Sequence, residues 1–165
     1  MPEYEKLLYV ALPAICLTLV ACGSDNELKN DFREAQTVIS NITTRMDACH
    51  TPKQCEQLET ELRKHAIPML KNIQRSMYQQ AFHNIQHKHG KLSESERIEL
   101  LSTMAHDARN SCEFATKYSE YRSARKSLES RVPAEQIIPL LRAMNEFESE
   151  LEKFSPHAIL SEYRK

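Results

Sequence analysis

The 165-residue sequence has no tryptophan, only two glycines and few aromatic residues, and its charges nearly cancel, with 22 Lys and Arg against 23 Asp and Glu. Each shortage excludes something. Phosphate loops and dinucleotide-binding turns need glycines close together, so that the chain can turn sharply and its N–H groups can approach the ligand. Gly23 and Gly90 stand alone, and no G-x-S-x-G nucleophile turn is present. Without a concentrated basic surface, nucleic acid is not an expected partner. Glu146, Glu148, Glu150 and Glu152 share one segment with Arg142 and Lys153, and read as a solvated charged helix face. No catalytic residue is therefore expected, and the chain does not read as an enzyme. With β-branched runs also scarce, the abundant Leu, Glu, Lys, Arg and Gln point to an all-α protein.

One long apolar run is present. Leu7 to Val20 carries no charged side chain but contains Pro13, and it is shorter than the roughly 20 apolar residues a membrane span needs. Its end, Leu19-Val20-Ala21-Cys22, is followed at once by polar sequence from Gly23. A tetrapeptide of this kind resembles the lipobox of bacterial lipoproteins. The resemblance implies that residues 1–21 are a cleaved signal peptide, that Cys22 receives the covalent lipid, and that residues 22–24 form a short tether. It covers about the first 24 residues, and departs from the usual pattern in that Glu3 and Glu5 outnumber Lys6 ahead of the apolar run. Gly23, with no Asp there, resembles the sorting signal of outer-membrane lipoproteins in enteric-type bacteria. The implied location is the periplasmic face of the outer membrane, with the inner membrane as the alternative. Two or more acyl chains would make that attachment durable, where one gives only reversible binding.

Beyond Cys22 the pattern is helical. Ser24 to Glu27 has the form of a capping box, and apolar side chains follow at Leu28, Phe32, Ala35, Ile39, Ile42, Met46 and Cys49, in steps of four and three that line one helix face. A first helix is expected to about Ala48. Thr51-Pro52-Lys53-Gln54 caps a second, which carries Cys55, Leu58, Leu62, Ala66, Ile73, Met77, Ala81 and Ile85. Pro68 should kink or break it near Lys64 to Ile67, because proline lacks a donor and clashes with the preceding turn. Gly90 reads as a left-handed residue just past the helix end. Ser93 and Glu96 cap a third helix, expected to run through Cys112 toward Arg131. Pro133 opens a fourth, unless Pro139 moves its start a turn later, with a seam at Ile137, Leu140, Met144, Phe147, Leu151 and Phe154. The expected architecture is an antiparallel bundle of about four helices over residues 25–156, followed by a C-terminal tail or short last turn at 157–165. The seam spacing also permits a homodimer.

Cys49 and Cys55 flank the first corner and are expected to pair in the oxidising periplasm, leaving Cys112 as a buried thiol on an apolar helix face. His83 and His87 stand four apart, the helical spacing that lets two imidazoles meet one ion, with His89 following and His106 a possible fourth. A transition-metal site there is the alternative to solvated histidines near a helix end; no other cofactor is expected. Tyr78, Tyr118 and Tyr121 form either an aromatic contact patch or ordinary core. Leu92 to Arg97 faintly resembles the helix-opening motif of small periplasmic chaperones. The leading expectation remains a lipid-anchored interaction, pilot or adapter protein whose partner is another envelope protein.

Overall fold

The computed structural model describes the backbone of residues 4–165 and the side chains of residues 26–165. Seven α-helices and no strand occur among the described residues: α1 Tyr4–Asp47, α2 Pro52–Glu61, α3 Ile67–Lys88, α4 Glu94–Ser111, α5 Phe114–Arg131, α6 Ile138–Glu152 and α7 Pro156–Tyr163. The all-α expectation holds, and α1, α3, α4, α5 and α6 supply most of the core. Direction alternates over α1, the continuous α2–α3 segment, α5 and α6, so two of the side-by-side pairs are parallel. Arg63, Lys71, Gln74 and Tyr78 of the α2–α3 segment meet Pro139, Glu146, Glu150 and Lys153 in the same order, so α3 runs with α6. Lys29 meets Cys112 and Met46 meets Arg131, so α1 runs with α5.

The apolar seams read from the sequence are the core. Phe32, Ile39, Ile42, Leu70, Met77, Leu101, Met144, Phe147 and Phe154 are almost wholly buried. Phe32, Phe114 and Phe154 meet pairwise at ring-centroid distances of 5.5, 5.9 and 5.8 Å, which locks α1, α5 and the end of α6 together. Tyr121 is buried against the Phe147 ring at 5.4 Å with Tyr118 stacked on it, while Tyr78 stacks on Phe82 and its hydroxyl donates to the Lys153 carbonyl at 2.9 Å. Core packing thus accounts for these tyrosines.

The capping boxes at Thr51–Gln54 and Ser93–Glu96 are both formed, each side chain accepting from the backbone N–H of the other residue. The box expected at Ser24 is not a helix end, since α1 is already helical from Tyr4. Ser24 lies outside the described side chains, and Glu27 instead accepts from the Asn84 amide at 2.8 Å.

Pro68 acts differently from a plain break. Leu62–Ala66 widens into a π-turn whose end is marked by the Ile67 N–H donating to the Leu62 carbonyl, five residues back, and Pro68 falls in the first turn of α3 where no donor is needed. Gly90 is not left-handed, since no glycine has a positive φ among the described residues. It is required because a Cβ there would stand 2.7 Å from the Gln86 carbonyl oxygen.

The expected third helix is two. It breaks at Cys112 and Glu113, the latter at φ 53°, and the turn lets α5 lie along α1 instead of continuing α4 away from the core. A short 3-10 turn, Ala134–Gln136, follows Pro133, and α6 starts at Ile138 with Pro139 in its first turn. The C-terminal residues are a helix, not a tail: Ser155 caps α7, and Ile159 is buried where α7 packs on α4 and α3.

Candidate functional site

Cys22 lies outside the described side chains. Cys49 and Cys55 form a disulfide with Cα atoms 5.6 Å apart, joining the end of α1 to the start of α2. The Thr51 box supplies this closeness, because it turns the chain back within a few residues. Cys112 is a buried free thiol, although it sits at the α4–α5 break and not within a helix.

The histidines divide. His83 and His87 lie one turn apart on an exposed face of α3, with ring centroids 4.2 Å apart. His89 turns inward, 7 % exposed, with Nε2 lacking a hydrogen-bond partner. Two residues along a helix is slightly more than half a turn, so the third imidazole cannot share the face of the second. His106 is exposed on α4. No three His, Cys, Asp or Glu side chains are grouped to hold a metal ion among the described residues.

Three of the four α6 carboxylates, Glu146, Glu148 and Glu150, make ion pairs with other helices. Glu146 meets Lys71 and Arg63 of the α2–α3 segment, Glu148 meets Arg125 of α5 at 2.7 Å, and buried Glu150 takes the Lys153 ammonium at 2.8 Å. They stitch the bundle.

A different place combines burial, unspent polarity and space. Beside the π-turn, α1 and α3 diverge to leave a groove of about 440 Å³. Asp31 and Glu34 form the α1 wall, Lys64 and His65 of the π-turn stand at one end, and Pro68, Met69 and Ile73 line the α3 side. Asp31 is 8 % exposed and its Oδ2 has no hydrogen-bond partner. Burial, and then the nearby Glu34 and Glu27 carboxylates, push its pKa up from 3.8 to about 6. Met69, 48 % exposed, is the most exposed large hydrophobic side chain among the described residues.

No family model, curated protein or solved structure matches this chain.

Reading the sequence alone misses the groove. Asp31 borders the Leu28, Phe32, Ala35 seam, where a charged residue normally marks the solvated edge of the stripe. The available signal was Pro68, since a proline inside a strong helical pattern demands some local remodelling.

Proposed function

We propose that the chain is a lipid-anchored helical interaction protein of the bacterial envelope, attached through Cys22 and acting by contact with a neighbouring envelope protein. The observation that carries this is Leu19-Val20-Ala21-Cys22 at the end of the uncharged run Leu7 to Val20. The Cys49–Cys55 disulfide supports it, since such bonds persist outside the reducing cytosol. No helix among the described residues is long and apolar enough to cross a membrane. Gly23 favours the outer membrane.

Within the helix α1, nine residues separate Cys22 from Asp31, a rise of about 14 Å at 1.5 Å per residue. A domain so close to its anchor works at the membrane surface and not on distant targets. The test is metabolic labelling with palmitate. The wild-type chain should carry the label and fractionate with membranes, and Cys22→Ser should be unlabelled and unprocessed or soluble. A Cys22→Ser chain that still takes up palmitate and stays membrane-bound would remove the basis for the proposal.

A further inference from the structure

We infer that the groove between α1 and α3 receives a basic side chain of a protein partner, its cationic head meeting Asp31 and its methylene stem lying over Met69 and Ile73. The inference rests on the reading of the chain as an interaction protein, and supplies the chemistry of the contact; it does not depend on acylation of Cys22.

Three observations converge. A buried polar atom without a partner is costly, and Asp31, a residue of the groove's lining, carries such an atom in its Oδ2. Glu27 and Glu34 stand one turn to either side on the same helix, so this wall of α1 carries three carboxylates. None of them takes part in an ion pair among the described residues, and only Glu27 is partnered, by the neutral Asn84 amide. The opposite wall, on α3, sets the apolar Ile73 and the exposed Met69 beside the uncharged polar Asn72 and Ser76. A head that donates hydrogen bonds, on an aliphatic stem, satisfies both walls together. The volume of about 440 Å³ holds one long side chain with some solvent. The π-turn forms one end of the groove.

Lys64 and His65 bound the same groove, and neither forms an ion pair with Asp31. They set the polarity of the site: a cation is opposed by Lys64, whereas an anion would need it.

The test is an NMR titration of the isotope-labelled full chain with a blocked tripeptide, acetyl-Gly-Arg-Gly-amide, beside its citrulline counterpart, which keeps the shape and loses the charge. The arginine peptide should shift the Asp31 carboxyl carbon and the Met69 methyl saturably, and the citrulline peptide should bind about tenfold more weakly or worse, the loss of one charge-assisted hydrogen bond. Asp31→Asn should lose binding by a similar factor while the remaining spectrum reports an intact fold, and Lys64→Ala should strengthen it. Absence of a saturable shift, equal response to citrulline, or binding unchanged in Asp31→Asn would overturn the inference. Weaker binding by Lys64→Ala would do the same, since it marks an anionic occupant. Tighter binding of spermidine than of the peptide would assign the groove to free polyamines and sink the partner-protein reading. Palmitate labelling of Cys22 is read separately, so either proposal can fail without the other.

Discussion

The Cys112 thiol, at the break between α4 and α5, donates to the backbone carbonyl of Lys29 on α1 at 3.3 Å. This contact pins the turn in which the next residue, the exposed Glu113, adopts φ 53° and ψ 24°. A side chain in the left-handed region crowds its own backbone, and glycine does not. Glu113→Gly should therefore stabilise the fold by about 1 kcal/mol, read as a higher urea midpoint at unchanged slope. A lower midpoint would mean that the Glu113 side chain holds the turn itself.

Asp31 gives a pH dependence of definite sign. Its pKa is pushed up to about 6 in the folded chain from 3.8, so between about pH 4 and 6 the folded state binds more protons than the unfolded one and stability falls as pH rises. Asp31→Asn removes the charge and keeps the shape. It should raise the melting temperature at pH 7.5, by up to about 3 kcal/mol of stability, and change little at pH 4. Equal effects at the two pH values would show that Asp31 ionises normally.

Reduction of the Cys49–Cys55 disulfide should lower stability by roughly 2 kcal/mol, as expected for so small a closed loop. Non-reducing peptide mapping should recover the two linked, and Cys112, 4 % exposed, should alkylate only after denaturant is added. A Cys55 to Cys112 peptide would contradict the fold at the first corner.

At Gly90 the requirement is space and not backbone handedness. Gly90→Ala places a Cβ 2.7 Å from the Gln86 carbonyl oxygen and should cost about 2 kcal/mol. Gly90→Asn should be no better tolerated. If asparagine were clearly milder than alanine in chemical denaturation, a left-handed conformation would be the true constraint.

The long-range plan was legible because it rests on repeated local signals. Leu28 to Cys49 and Ile137 to Phe154 gave unbroken seams, and both are buried; Thr51 with Gln54 and Ser93 with Glu96 gave caps, and both formed. What escaped was decided by tertiary packing. Neither glycine nor proline marks the Glu113 break, which exists because α5 gains a buried face against α1. Asp31 looked like the polar border of a stripe until the π-turn at Leu62–Ala66 showed which helix stood opposite. The α7 helix has only eight residues, too few to form on its own, and it depends on the surface that Ile159 covers.

The central position of α1 has a mechanical consequence. It packs against α2, α3, α4 and α5, and the proposed point of attachment, Cys22, belongs to the same helix. A pull along that helix loads its contacts with several neighbours in shear, all at once, instead of peeling one helix away at a time. Tension between the membrane and a bound partner would then reach the groove through a stiff strut, with little of it dissipated in a flexible leash.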